Sequence, residues 1–159
     1  MNILFLCTGN SCRSILAEAT FNALAPAGMH AMSAGSLPAG YVHPRSLALL
    51  QREGISTEGL HSKSWDGLPV TPDLVITVCG SAAGETCPAY LGPVMRTHWG
   101  VDDPAKAQGT DHEIEASFTN AYRVLRKRIE VFFALPSALA QKDPAAFQAA
   151  LDQIGQIEG

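Results

Sequence analysis

An apolar run, Asn2-Ile3-Leu4-Phe5-Leu6, stops at Cys7; Thr8-Gly9-Asn10-Ser11-Cys12 follow, and Arg13-Ser14 opens a helix-like pattern. Few folds accept a strand that feeds a helix through so short a loop. The unit reads as strand, anion-sized loop, helix, and its natural continuation is an alternating α/β chain with a parallel sheet. The helix is expected from about 14 to 25, because Ile15, Leu16, Ala17, Ala19, Phe21, Ala23 and Leu24 recur at helical spacing before Pro26 and Gly28.

The same grammar continues downstream. His30 to Ala34 reads as a second strand, closed by Gly35, and Ser36 to Tyr41 as loop. His43-Pro44 opens a second helix, with Leu47, Leu49 and Leu50 leading to Gly54. Asp73 to Cys79 is the clearest later strand, followed by a small-residue loop from Gly80 to Cys87. Val94 to Trp99 reads as a short strand and Gly100 to Gly109 as loop. His112 to Leu135 carries Ile114, Phe118, Ala121, Val124, Leu125, Ile129, Phe132 and Phe133, the stripe of a long amphipathic helix. Its cluster Arg123, Arg126, Lys127 and Arg128 is expected to be a solvated face. Residues 144–157 predict one more helix, with Phe147, Leu151 and Ile154 on one face.

Strands alternating with helices predict a parallel sheet with helices on both faces and right-handed crossovers. Ligands of such sheets sit beyond the carboxyl ends of the strands. Cys7 and Cys79 both fall at such ends, so residues far apart in sequence are expected to share one crevice.

A chain of 159 residues suits one domain. With 47% hydrophobic and 16% charged residues it is globular rather than disordered. A net charge of −4 argues against general nucleic-acid binding, so a small anion needs a local positive site. No apolar run approaches ~18 residues, and the N-terminus lacks a basic region ahead of its short apolar run; a cytoplasmic chain without membrane contact is expected. The four cysteines, Cys7, Cys12, Cys79 and Cys87, are spaced C-x4-C and C-x7-C without neighbouring histidines. That is not a zinc pattern, and no metal is expected.

The loop has its own chemistry. Thr8, Gly9, Asn10, Ser11, Cys12, Arg13 and Ser14 can turn backbone N–H groups inward as a nest for a tetrahedral oxyanion, at the positive end of a helix. Arg13 can clamp two oxygens with its fork. The same field favours the Cys7 thiolate, and Ser14 can donate a hydrogen bond to it. The plainer alternative is a buried cysteine at a strand end with an ordinary loop beyond.

The run Cys7-Thr8-Gly9-Asn10-Ser11-Cys12-Arg13-Ser14 resembles the loop of the low-molecular-weight tyrosine phosphatase superfamily, and more narrowly that of the arsenate reductases built on its fold. The likeness extends to Ser33-Ala34-Gly35, Ser62-Lys63-Ser64-Trp65-Asp66, the Val78-to-Pro88 segment and Trp99 to Ala105. It implies a single-domain three-layer α/β sandwich, a four-stranded parallel sheet with helices on both faces. The catalytic domain would span residues 1–135, with residues 136–159 as a helical extension packed on it.

The resemblance also implies roles. Cys7 would attack arsenate, Asp103 would protonate the departing oxygen, and Cys79 and then Cys87 would carry the oxidation outward as a disulfide. Asp102 is the alternative acid. Thioredoxin or a small thiol would supply the electrons, and no cofactor is required on this chain. In the thioredoxin-coupled class six residues separate the two relay cysteines; here Gly80 to Thr86 make seven. Some relatives bind potassium through residues matching Asn10, Glu18 and Ser33 plus an aspartate, a position that falls on Ser64 here.

Three alternatives stay open. One is a phosphatase working through a Cys7 phosphocysteine, although Asp103-Pro104 is followed by Ala105-Lys106-Ala107 and not by the aromatic residues that grip a phosphotyrosine ring. Another is a reductase coupled to mycothiol or glutathione. The last is a non-catalytic oxyanion-binding or redox-sensing module. Phosphate and sulfate would be analogues of the substrate, and a monomer is expected.

Overall fold

The computed structural model of the chain describes residues 1–66, 68–78, 94–136 and 138–158. Among these, the strands are β1 (Asn2–Leu6), β2 (His30–Ala34), β3 (Leu74–Thr77) and β4 (Met95–His98). They form one parallel sheet in the order β2-β1-β3-β4. Strand β1 is flanked on both sides, and Ile3 to Leu6 are fully buried, as expected of an inner strand covered on both faces. The register sets Leu6 beside Ala34 on one side and Thr77 on the other. Cys7, Gly35 and Val78 therefore leave the sheet at its carboxyl edge together, where an open parallel sheet binds ligands.

The helices are α1 (Arg13–Leu24), α2 (Pro44–Arg52), α3 (Asp111–Phe133), α4 (Leu139–Lys142) and α5 (Pro144–Ile154). Helix α3 starts with a full capping box, Thr110 with Glu113, and α5 with Asp143 capping ahead of Pro144. Helix α2 begins with Pro44 in its first turn, and the His43 ring accepts from the Arg45 N–H. The core is tied by aromatic contacts: Phe5 with Phe21 and Trp99, Trp99 with Phe132, and Phe132 with Phe147. That chain joins β1, α1, the end of β4, α3 and α5, and pairs of this kind add roughly 0.5–1.5 kcal/mol each beyond burial.

The alternating pattern holds, with element ends shifted by a residue or two. Within the expected loop from Gly100 to Gly109 lies a short 3-10 turn, Pro104–Lys106, capped by Asp103 Oδ1 accepting from the Ala105 N–H. Helix α4 adds a short turn of helix to the expected helical extension. The expected strand end at Cys79 and the small-residue loop through Cys87 lie outside the described residues.

One expectation is overturned. Arg123 and Lys127 are exposed, but Arg128 is only 3% exposed and belongs to the inner face of α3. It sits one turn after Leu125 and beside Ile129, on the apolar stripe, and its guanidinium is spent on backbone carbonyls. Burial lowers its pKa, while Glu158 opposes that shift.

Candidate active site

The loop between β1 and α1 is held from outside by its carbonyls. Thr8 O accepts from the Leu37 N–H (3.0 Å), Gly9 O from the Ala39 N–H (2.8 Å) and Ser62 Oγ (3.1 Å), and Ser11 O from the His43 N–H (3.1 Å). Each planar trans peptide points its N–H opposite to its carbonyl. The N–H groups of Gly9, Asn10 and Cys12 are thus turned to the inside of the loop. The loop stands at the N-terminus of α1, where the helix dipole favours an anion.

Asn10 is the loop's internal strut. It is fully buried and has φ 47°, a left-handed conformation that asparagine tolerates better than most residues. Its Nδ2 donates to Ser14 Oγ (2.8 Å) and Ser33 Oγ (2.9 Å), and its Oδ1 accepts from the Lys63 N–H (2.9 Å). Ser14 Oγ therefore has an acceptor role already filled and keeps its own proton to donate. Ser33 Oγ donates to Glu18 Oε1 at 2.5 Å, and Lys63 Nζ stands 3.5 Å from the same carboxylate oxygen. This group does not suit potassium: an ammonium already meets the Glu18 carboxylate, and Asn10 turns its donors, not its oxygen, toward Ser33. Among the described residues no group of three or more histidine, cysteine or carboxylate side chains could hold a metal ion.

Gly35 makes the second layer possible. A Cβ there would collide with the carbonyl oxygens of Cys7 and Thr8. Gly35 N–H donates to Lys63 O (2.9 Å) and Gly35 O accepts from the Trp65 N–H (3.0 Å), so the 62–65 segment is bound to the loop through the residue after β2. Of the Ser62-to-Asp66 motif, Lys63 and Trp65 meet the loop layer through their backbone, Ser62 supports Gly9 O through its hydroxyl, and Lys63 adds a charge beside Glu18.

Arg13, the first residue of α1, reaches across to the segment after β4. Nη1 donates to Val101 O (3.0 Å), and Nη2 lies 3.4 Å from Asp103 Oδ2, with side chains 13% and 22% exposed. Nε is buried and has no partner among the described residues. Cys7 and Cys12 are both buried thiols. Burial pushes the Cys12 thiol up; a hydrogen bond from Ser46 and the nearby Arg13 oppose that, and Asp103 adds to it. Asp102 is exposed, whereas Asp103 is partly buried against Arg13. His98 Nδ1 pairs with Thr77 Oγ1 (2.7 Å), and Trp99 is fully buried, so both serve the strand ends.

Cys7, the loop residues 8–14, Arg13 and Asp103 thus come together at one edge of the sheet. Cys79 and Cys87 lie outside the described residues. Lys63 as partner of Glu18, and Ser62 as support of Gly9, were not singled out as site residues. The signal was present in the motif Ser62-Lys63-Ser64, but its contact with Asn10 depends on a bridge between Gly35 and Ser64 that no local pattern reveals.

The family model for low molecular weight phosphotyrosine protein phosphatase matches residues 2–145. An arsenate reductase of Halalkalibacterium halodurans is 42% identical over 131 residues, covering 82% of this chain and 93% of that protein. Among solved structures, an arsenate reductase in the phosphate binding state is similar with a TM-score of 0.69 at 26% identity, covering 84% of this chain and 96% of that one. A thioredoxin-dependent arsenate reductase of Corynebacterium glutamicum is similar with a TM-score of 0.56 at 27% identity, covering 82% of this chain and 62% of that one.

Proposed function

The chain belongs to the low molecular weight phosphotyrosine protein phosphatase family, and we propose that within it the chain is an enzyme that reduces arsenate to arsenite. The observation that carries the reading is Arg13, at the end of the loop that Cys7 begins, set 3.4 Å from Asp103, in a chain whose curated relatives of nearly its own length are arsenate reductases.

The chemistry proceeds as three thiol steps. Arsenate enters the nest, its oxygens taken by the inward N–H groups and by Arg13, whose buried Nε gains an acceptor. Cys7 sulfur bonds to arsenic and one arsenic–oxygen bond breaks; Asp103 gives its proton to the departing oxygen, which leaves as water. Cys79 then attacks the Cys7 sulfur. The sulfur–arsenic bond breaks with its electron pair on arsenic, so arsenic(V) becomes arsenic(III) and two thiols become a Cys7–Cys79 disulfide. Cys87 exchanges into that bond and leaves Cys79–Cys87 for thioredoxin or a small thiol to reduce. Residues 1–135 form the catalytic domain in this reading, and residues 136–159 an extension packed on it.

A second reading has one observation in its favour. Leu37 is 74% exposed and Tyr41 57% exposed, on the segment whose N–H groups hold the loop. Exposed apolar side chains on a segment beside the loop suit an ester with an organic group better than a bare inorganic anion, which is the phosphatase alternative. Arsenite formed per enzyme is therefore counted with thioredoxin, with small thiols and with neither, in the native chain and in Cys7→Ser, Cys79→Ser and Cys87→Ser. The reductase reading expects multiple turnovers with one thiol donor, none in any of the three variants, and a Cys79–Cys87 disulfide by mass spectrometry. Normal cycling of Cys87→Ser with thioredoxin sinks the relay; aryl phosphate turnover without arsenite in any condition sinks the reductase.

A further inference from the structure

We infer that α5 and the turn after it, joined to α3 through Arg128, are a positioning unit for the acid: they hold the Trp99–Val101 segment from behind and thereby set Asp103 against Arg13. The inference rests on the reading of Asp103 as the general acid. The family match ends at residue 145, so most of α5 lies beyond it.

Three separate ties run from the extension to the base of the acid segment. Trp99 Nε1 donates to Leu151 O (3.0 Å). Arg128 Nη1 donates to Trp99 O (2.7 Å) and Gly100 O (3.1 Å), while its Nε donates to Ile157 O (2.9 Å), so one buried guanidinium joins the chain end to both carbonyls. Gly155 packs so closely that a Cβ there would strike His98 O and press on the Trp99 ring. The next residue, Val101, donates its N–H to Val78 O (3.1 Å) and receives Arg13 Nη1. Asp103 is two residues further on.

Between Val101 and the turn at Pro104–Lys106 the segment borders open space on one side. An open groove of about 430 Å³, lined by Val101, Asp103, Lys106, Ser117 and Asn120 among others, runs between it and α3, which the segment meets at the Pro104–Lys106 turn. A second, of about 270 Å³, opens beside Gly100, Arg128 and Glu158. Pro104 is buried at the far end. The position of Asp103 is set from two ends, the Trp99–Val101 anchor and the Pro104–Lys106 turn on α3, and a shift of about 1 Å in a catalytic group is enough to cost up to ~10²-fold in rate.

The test reads the acid directly. In single-turnover cleavage of an aryl phosphate, the Cys7 sulfur–phosphorus bond forms, the phosphorus–oxygen bond to the aryl group breaks, and the Asp103 proton goes to the phenolate oxygen. A poor leaving group, phenol, needs that proton; 2,4-dinitrophenol does not. Gly155→Ala and Arg128→Lys are each made in the full chain, alone and with Asp103→Asn. Each single variant is expected to slow phenyl phosphate about tenfold, with 2,4-dinitrophenyl phosphate and inorganic phosphate affinity changed less than twofold. Neither should add to the loss caused by Asp103→Asn. Equal slowing of both esters, additive losses with Asp103→Asn, or no slowing at all overturns the positioning role alone. An Asp103→Asn variant that slows both esters alike, or that leaves arsenate turnover in the native range, overturns the acid assignment and this inference together.

Discussion

Arg13 uses its three nitrogens in three ways: one ties the segment after β4, one faces Asp103, and one is buried without a partner among the described residues. A buried N–H left unpaired costs about 1–3 kcal/mol, a cost that an arriving oxyanion removes. The neighbouring Cys12 has the opposite character. Its thiol is shielded chiefly by burial and is held protonated beyond the ordinary thiol range. The folded chain keeps that proton to higher pH than the unfolded chain does. In the interval between, the unfolded state binds fewer protons, so stability falls as pH rises. Urea midpoints measured from about pH 8 to about pH 10 should therefore drop more steeply for the native chain than for Cys12→Ser. Parallel slopes would show that Cys12 is not buried as a thiol. A thiol of this kind is a poor nucleophile at neutral pH, which suits a residue that lends the loop its backbone and not its sulfur.

At the scale of elements, the anion loop is one layer of two, and Gly35 is where they touch. Its missing Cβ lets the residue after β2 lie against Cys7 O and Thr8 O. Gly35→Ala forces backbone against backbone, and no flexible side chain can yield. Arsenate turnover is expected to fall at least ~100-fold, with a thermal midpoint lowered by several degrees, roughly the effect of 2 kcal/mol. Turnover within twofold of native would mean that the second layer does not shape the nest. The strands and most helices were legible in the sequence because their signals are local: an unbroken apolar run for β1, a 3.6-residue stripe for α3. Cys7, Arg13 and the loop between them were legible for the same reason, being contiguous. Asp103 was not, except through resemblance, because ninety residues of chain separate it from the arginine it meets. Arg128 was misread for a different reason. A charged residue inside a basic cluster suggests solvent, yet helix periodicity places it with Leu125, Ile129 and Phe132, and only the carbonyls of Trp99, Gly100 and Ile157 explain why a cation is kept there. The support of Asn10 by Lys63 depends on register between distant segments, which no window of sequence contains.

At the scale of the molecule, the site is a junction. The loop from Cys7 to Arg13 belongs to β1 and α1, its outer support to the segments after β2 and before β3, and Asp103, the proposed acid, to the segment after β4. Unfolding separates all of them, so an anion bound at the junction stabilises the whole fold by mass action. The net charge of −4 provides no general attraction for such a ligand, which leaves the local field of Arg13, the inward N–H groups and the α1 terminus to do the binding. Inorganic phosphate at about 100 times its Kd contributes about 2.7 kcal/mol. In a domain of 159 residues that amounts to a rise in thermal midpoint of roughly 5–10 °C. The measurement is a phosphate titration followed by thermal unfolding, with chloride at matched ionic strength as the reference. Cys7→Ser should keep most of the rise, because the nest is made of backbone. Arg13→Met should lose most of it, because the fork that meets the anion is gone. A rise that survives Arg13→Met would place the anion elsewhere on the molecule, and no phosphate-specific rise in the native chain would mean that the junction is not an oxyanion site.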